Sequence, residues 1–252
     1  LYELENPQTG VIHRILCGDA TIPEDVARLM DSKLADLVAT DPPYNVDYEG
    51  QNGMKIENDD MEDDQFFAFL FAAMTLMATH TKKGGCAYIA HSDTEGMNFR
   101  RAYNEAGFSL RQVLIWNKNS SVLSRQDYNW KHEPILYGWK PGAAHFFMGD
   151  FKQDTVLDFK RPARNDLHPT MKPLPLWAQL ILNSSRPKEI VLDTFLGSGT
   201  SLIASEQTGR ICFGLEKSGV YCDVIIARWW RYIQKTYRMD GIIRLNGVLL
   251  EK

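Results

Sequence analysis

Leu37-Val38-Ala39-Thr40-Asp41-Pro42-Pro43-Tyr44 carries an apolar run straight into a rigid polar corner. The first four residues read as the end of a buried strand, a short apolar segment bounded by turn residues. Proline fixes its own φ and pushes the residue before it toward extended geometry, so Asp41 and Pro42 are both held extended. A carboxylate, two prolines and an aromatic ring at a strand's carboxyl end make a site able to grip a planar amino group. The Asp41 side chain and the Pro42 carbonyl can each accept a hydrogen bond from one exocyclic NH2, and Tyr44 can stack on the ring that bears it. Taken alone, the tetrapeptide also reads as an ordinary strand-terminating turn, so the rest of the chain has to decide.

Outward from this corner, strands and helices alternate. Arg14 to Cys17 reads as a strand ending at Gly18-Asp19, Pro23 to Met30 as a short helix, and Leu34 to Thr40 as the strand just described. Phe66 to Ala78 has helical spacing, Cys86 to Ala90 is a buried strand after Gly84-Gly85, and Thr94 to Glu105 is a helix. Val113 to Trp116 and Ile135 to Trp139 are strands separated by polar sequence. Leu174 to Asn183 is helical, Ile190 to Leu192 a strand, the segment after Gly199 a helix to about Gln207, Ile211 to Leu215 a strand, and Val220 to Tyr237 a long helix. Such alternation predicts one α/β domain over residues 1–252, a mixed, mostly parallel, doubly wound sheet with helices on both faces. The chain's 252 residues suffice for one large core. Between Asn119 and Asn165 the pattern breaks into Asn, Ser, Gly, Asp and aromatics with scattered Arg and Lys. A long irregular stretch in a compact domain is usually functional, and we read 119–165 as an insertion that touches a large substrate. Gly241 to Lys252 reads as a short hairpin.

Composition narrows the classes. The chain is 44% hydrophobic and 24% charged, within the globular range. No apolar run approaches the roughly 18 residues that span a bilayer. The start, Leu1-Tyr2-Glu3-Leu4-Glu5, shows no signal peptide, and a cytoplasmic, membrane-free protein is expected. Cys17, Cys86, Cys212 and Cys222 lack C-x-x-C spacing and read as buried free thiols, with no metal site. A net charge of −4 argues against indiscriminate nucleic-acid binding. Its distribution is uneven: from Asn98 to Lys172 there are twelve basic and seven acidic residues, a local +5. Six of the eight residues from Glu57 to Asp64 are acidic and read as a solvated loop entering a helix.

A second motif, Asp193-Thr194-Phe195-Leu196-Gly197-Ser198-Gly199-Thr200, lies between a strand and a helix. Its glycines allow a sharp turn and close approach to a ligand, and the helix that follows offers free N–H groups to a negative group. Glu216 ends the next strand, 23 residues after Asp193, where acidic residues accept from ribose hydroxyls in dinucleotide folds. The G-x-G-x-x-G spacing and a P-loop lysine are both absent, which disfavours nicotinamide and ATP chemistry. His168-Pro169-Thr170-Met171-Lys172-Pro173 reads either as a proline-bounded helix start with a surface lysine or as a lysine aimed at a ligand carboxylate.

Together, Asp41-Pro42-Pro43-Tyr44, His168-Pro169-Thr170-x-Lys172-Pro173 and Asp193-x-Phe195-x-Gly197-Ser198-Gly199-Thr200 resemble the β class of S-adenosylmethionine-dependent DNA amino-methyltransferases, over about Gly18 to Arg228. The tetrapeptide precedes the glycine motif by about 150 residues, the circularly permuted order of that class. The resemblance implies a Rossmann-like class I methyltransferase fold. It assigns catalysis to Asp41, Pro42, Pro43 and Tyr44. It assigns the cofactor's methionine end and sugar to Phe195, Gly197, Ser198, Gly199 and Thr200, with Asp193 and Asp41 beside them. Glu216 and the adjoining Lys217 take the ribose side, Asp19 and Ala20 the adenine, and Lys172 and Thr170 the methionine carboxylate. Thr194 stands where the family usually has proline, which implies a slightly looser turn. Arg125, Gln126, Tyr128, Asn129 and Lys131 fall in the target-recognition segment and offer donors, acceptors and aromatics suited to base edges. They read equally as a polar surface loop. The small segment implies a short or degenerate target sequence.

An Asp before Pro-Pro-Tyr leans to adenine N6 in this family, and Ser leans to cytosine N4. The resemblance therefore implies methyl transfer to adenine in DNA, with cytosine N4, an RNA substrate, or a silent nucleic-acid-binding subunit as alternatives. A homodimer and a cognate restriction endonuclease are the partners it carries with it.

Overall fold

Apolar runs with β-branched residues become the strands, and helices fill the spaces between them. The computed structural model describes residues 1–45, 61–122, 127–148, 152–161 and 171–250. Its strands are β1 (Tyr2–Asn6), β2 (Val11–Cys17), β3 (Ala35–Thr40), β4 (Thr81–Ala90), β5 (Ser109–Val122), β6 (Trp130–Trp139), β7 (Val156–Asp158), β8 (Ile190–Asp193), β9 (Ile211–Glu216), β10 (Ile242–Leu245) and β11 (Val248–Leu249). The helices are α1 (Pro23–Met30), α2 (Asp63–Thr79), α3 (Gly96–Glu105), α4 (Leu174–Ser184), α5 (Thr200–Thr208) and α6 (Gly219–Tyr237). All eleven strands join one sheet in the order β11-β10-β1-β2-β9-β8-β3-β4-β6-β5-β7.

Side chains alternate across the sheet and assign the helices to its faces. Val38 points into the core formed with α1, α2 and α3, where Leu29, Phe66, Met74, Phe99 and Tyr103 are buried. Its neighbours Leu37 and Ala39 point the other way, onto Trp177, Leu180 and Ile181 of α4. Farther along that second face, Ile15 and Cys212 pack with Leu202 of α5 and with Ile225 and Trp229 of α6. Helices thus cover both faces, as expected.

The expectation of a mostly parallel sheet needs correcting. The five central strands, β2-β9-β8-β3-β4, are all parallel. Five of the ten ladders are antiparallel, and they lie toward the two sides. For β1–β2, β5–β6 and β10–β11 the cause is connection length, since a short link between consecutive strands returns the chain antiparallel, whereas β1–β10 and β4–β6 pair strands distant in sequence. Asn246-Gly247, with φ of 50° and 81°, is such a turn and makes β10–β11 the terminal hairpin that was anticipated. β1 went unread because its five residues bury little beyond Leu4 and Asn6. β5 and β6 are longer than their apolar cores, so the segment 119–165 contains β6 and β7. The acidic run enters α2, whose first turn holds Asp63 and Asp64; its residues 57–60 lie outside the described residues. No helix among the described residues is long and apolar enough to cross a membrane.

Candidate active site

Because β2, β9, β8, β3 and β4 are parallel, their carboxyl ends share one edge, the place where open α/β sheets bind ligands. Asp41 to Tyr44 leaves β3, and Asp193 to Gly199 leaves its neighbour β8. The two loops are tied together. Asp193 Oδ1 accepts from Thr40 Oγ1 at 2.6 Å and from the Phe195 amide at 3.0 Å, and its other oxygen accepts from Ser201 Oγ. The Asp193 side chain is thus a buried brace rather than an exposed ligand group. Burial raises its pKa to about 6, against the Ser201 and Thr40 hydroxyls and the Phe195 amide.

Asp41 sits in a chain of alternating charge. Lys172 Nζ donates to Asp41 Oδ2 at 2.5 Å and lies 3.1 Å from Glu133 Oε2; Lys118 Nζ donates to Glu133 Oε1 at 2.6 Å. Tyr44 Oη donates to Asp41 Oδ1 at 2.6 Å and lies 3.2 Å from Glu133 Oε2. The Tyr44 ring meets Phe99 edge-on and has the Lys172 ammonium 5.0 Å from its centroid. Both lysine side chains are 6% exposed, Asp41 24% and Glu133 20%, so the cluster opens to solvent on the carboxylate side. Burial pushes the Asp41 carboxyl above its usual range; Lys172 opposes this and Glu133 adds to it. Burial also pushes Glu133 up, but Lys172 and Lys118 outweigh it and hold it at about 2. Lys172 is raised, because Asp41 and Glu133 overcome its desolvation. Burial, Asp41 and Glu133 together lift the Tyr44 phenol well above its ordinary value.

Glu133 and Lys118 were not anticipated. Neither belongs to a local motif, and only the antiparallel β4–β6–β5 pairing carries them to Asp41. His91, just past β4, stacks on Phe99 at 5.1 Å and donates through Nδ1–H to the Ser92 carbonyl at 2.7 Å. Its buried Nε2 has no hydrogen-bond partner among the described residues, and burial lowers its pKa to about 4.

The glycine turn is built for close approach. Gly197 and Gly199 have φ of 53° and 83°, a region that suits glycine. A Cβ at Gly199 would stand 3.2 Å from Ile225 Cγ2. Glu216, at the end of β9, accepts from the Gly197 amide at 2.8 Å and the Ser218 amide at 2.9 Å. Burial raises its carboxyl, against those two amides. Asp19, at the end of β2, accepts from the Thr21 amide and hydroxyl and faces Lys217 Nζ at 3.3 Å. Burial raises the Asp19 carboxyl, but Thr21 and Lys217 hold it below its usual range. The Ala20 side chain is buried in the core. Phe195 packs edge-on against Phe69 at 5.8 Å. Arg228 of α6, a further residue the sequence reading missed, donates through Nη1 to the Ser198 carbonyl at 2.8 Å and lies 3.2 Å from Ser198 Oγ and 3.4 Å from Thr200 Oγ1. Thr194 Oγ1 is buried without a partner among the described residues, so the departure from proline places a hydroxyl there that none of them satisfies.

One thiol departs from expectation. Cys86, Cys212 and Cys222 are buried, whereas Cys17, the last residue of β2, is exposed. The Cys17 and Cys222 sulfurs lie 3.7 Å from the Lys217 and Glu216 carbonyls respectively. No group of three or more His, Cys, Asp or Glu among the described residues could hold a metal ion.

Of the expected recognition residues, Tyr128 and Asn129 are exposed at the tip between β5 and β6, and Lys131 is exposed on β6. A few residues below that tip, the same hairpin carries Lys118 and Glu133 into the Asp41 cluster. Arg125, Gln126, His168, Pro169 and Thr170 lie outside the described residues.

Known proteins share this fold. The DNA methylase family of N6 and N4 amino-methyltransferases matches residues 35–228. The chain is 29% identical over 249 residues to the DNA adenine methyltransferase YhdJ of Escherichia coli K12, covering 85% of this chain and 81% of that protein. The crystal structure of an M1.HpyAVI–SAM complex superposes with a TM-score of 0.66 at 25% identity, covering 85% of this chain and 98% of that one. The cytosine-N4-specific PvuII DNA methyltransferase has the same fold, with a TM-score of 0.68 at 16% identity over 89% of this chain and 90% of that one. A family match spanning both the Asp-Pro-Pro-Tyr corner and the glycine turn identifies the chain as a member of the DNA methylase family of amino-methyltransferases.

Proposed function

We propose that this protein transfers a methyl group from S-adenosylmethionine to the N6 amino group of adenine in DNA, through a circularly permuted class I methyltransferase fold. The observation that carries this reading is Asp41 standing beside the glycine turn, tied to it through Thr40 and Asp193. Asp at the first position of the tetrapeptide favours adenine over cytosine.

The residues present fit the cofactor. A carboxylate offers about four acceptor positions, and Glu216 uses two on backbone amides, leaving two for a ribose diol. Asp19 would face the adenine, and Phe195, Gly197, Ser198, Gly199 and Thr200 the sugar and methionine end. When bound, S-adenosylmethionine supplies an electrophilic methyl on a sulfonium. Lys172 would share its charge between Asp41 and the methionine carboxylate.

The chain's own residues prepare the nucleophile. An exocyclic amine conjugated to a base is a weak one. The Asp41 carboxylate and the Pro42 carbonyl accept its two N–H bonds and so turn its lone pair outward. Such positioning is worth several kcal/mol, on the order of 7 when complete. The carboxylate also stabilises positive charge growing on nitrogen. A stacked base cannot reach this edge and must flip out. Stacking on Tyr44 offsets part of that cost, by roughly 1–3 kcal/mol. Tyr128, Asn129 and Lys131, with Arg125 and Gln126, would read a short target sequence. A cytoplasmic location, a homodimer and a cognate endonuclease belong to the same reading.

The test is incubation of the chain with DNA and methyl-labelled S-adenosylmethionine, followed by mass spectrometry of the nucleosides. N6-methyladenine is expected from the native chain, with a loss of about 100-fold or more in Asp41→Ala. N4-methylcytosine alone would overturn the choice of base, and an active Asp41→Ala would overturn the mechanism.

A further inference from the structure

Both oxygens of the Asp41 carboxylate are occupied. Tyr44 Oη holds Oδ1 at 2.6 Å and Lys172 Nζ holds Oδ2 at 2.5 Å. Each oxygen keeps a second acceptor position, but an ammonium and a phenol already draw on its charge, so the carboxylate grips an incoming amine more strongly once a donor shifts away. A phenol or ammonium released into a buried site without another acceptor carries a desolvation penalty. The structure supplies one acceptor common to both: Glu133 Oε2 lies 3.2 Å from Tyr44 Oη and 3.1 Å from Lys172 Nζ. Its other oxygen, Oε1, is fixed by Lys118 Nζ at 2.6 Å, which keeps Oε2 turned toward the two donors. Lys118 also balances the charge of Glu133, so the four ionised groups sum to zero.

Resting on the amino-methyltransferase reading, we propose that Glu133, held by Lys118, is a positioning residue that takes over the Tyr44 and Lys172 hydrogen bonds as Asp41 turns to the target amine. Asp41 stays the residue that touches substrate; Glu133 acts through its neighbours. The exchange moves hydrogen bonds by fractions of an ångström and makes or breaks no covalent bond. Without Glu133, Lys172 and Tyr44 would stay on Asp41, and the carboxylate would meet the amine with its charge already shared between two donors.

A pH profile separates this from a merely structural role. The charged and titratable groups around Asp41 are Lys172, Tyr44, Glu133 and, through the brace at the end of β8, Asp193; Lys118 and His91 stand behind Glu133. Glu133 pushes Asp41 up and Lys172 pushes it down. Neutralising Glu133 leaves the lysine unopposed, so the acid limb of kcat/KM should move to lower pH while kcat on the plateau falls.

The experiment compares the native chain with Glu133→Gln for kcat, for S-adenosylmethionine affinity by calorimetry, and for kcat/KM against pH. The expected result is a fall in kcat of at least about 10-fold, cofactor affinity within about 3-fold of native, and an acid limb displaced to lower pH. A second variant, Lys118→Met with Glu133→Leu, replaces the buried ion pair by apolar groups of similar volume, a change that usually keeps the fold. It should melt near the native temperature and remain at least about 10-fold slower. Native kcat in either variant, or an unmoved acid limb in Glu133→Gln, overturns the proposal. A native chain that methylates no DNA would instead overturn the reading beneath it, and the wild-type arm reports that separately.

Discussion

Asp193 and His91 stand at strand ends on either side of β3 and titrate in opposite senses. Burial lifts Asp193 from about 4 to about 6, so the folded chain binds its proton before the unfolded chain does. Acidification from pH 6 to pH 4 therefore gains stability at Asp193. Burial lowers His91 from 6.5 to about 4, so the unfolded chain takes that proton first and acidification loses stability. The two effects offset each other within the same window. Asp193→Asn removes the gain, and its unfolding free energy in urea should fall more steeply than the native value between pH 6 and pH 4, by about 2–3 kcal/mol. Parallel curves for the two proteins would show that Asp193 is ionised throughout. At this scale legibility follows locality. Asp41, Tyr44 and Glu216 were readable because their chemistry sits in consecutive residues or at a set distance along a strand–turn–helix unit. Glu133, Lys118 and Arg228 are single residues on longer elements, and only pairing or helix packing brings them to the site.

Arg228 joins two elements, α6 and the turn that opens α5. Its guanidinium rests on the Ser198 carbonyl and beside two hydroxyls, so it fixes the direction of the glycine turn from behind. Burial lowers its pKa from the usual arginine value. Arg228→Ala should weaken S-adenosylmethionine binding by about 10-fold, or ~1.4 kcal/mol, as measured by calorimetry. Unchanged affinity would mean that Gly197 and Gly199 hold the turn unaided. The helices were legible nearly to the residue; α1 begins at Pro23, an N1 proline, and ends at Met30 as read. The strands were less so. β5 and β6 continue past their apolar centres into Asn, Ser and Lys, because an antiparallel ladder satisfies backbone groups whatever the side chains are.

Across the whole molecule, stability and chemistry lie at opposite ends of the sheet. Glu206, near the end of α5, accepts from Asn6 at 2.7 Å, His13 at 2.9 Å, Trp229 at 3.1 Å and Tyr237 at 3.4 Å. One carboxylate so links β1, β2, α5 and α6. Burial pushes it up, but the His13, Asn6 and Trp229 contacts win and hold it low. His13 Nδ1 accepts from the Cys212 amide, so His13 meets Glu206 through Nε2–H. Glu206→Leu leaves several buried donors unpaired and should cost about 3–5 kcal/mol, with methyl transfer per folded molecule unchanged. A matching loss of turnover at full folding would contradict that division. The layered α/β plan was legible from alternation alone; the antiparallel flanks were not, since β1–β10 and β4–β6 pair strands that are distant in sequence. Finally, exposed Cys17 lies beside the strand end that bears Glu216, while the other three thiols are buried. A maleimide fluorophore should therefore attach at one position, and its emission would report directly on occupancy of the space in front of that carboxylate.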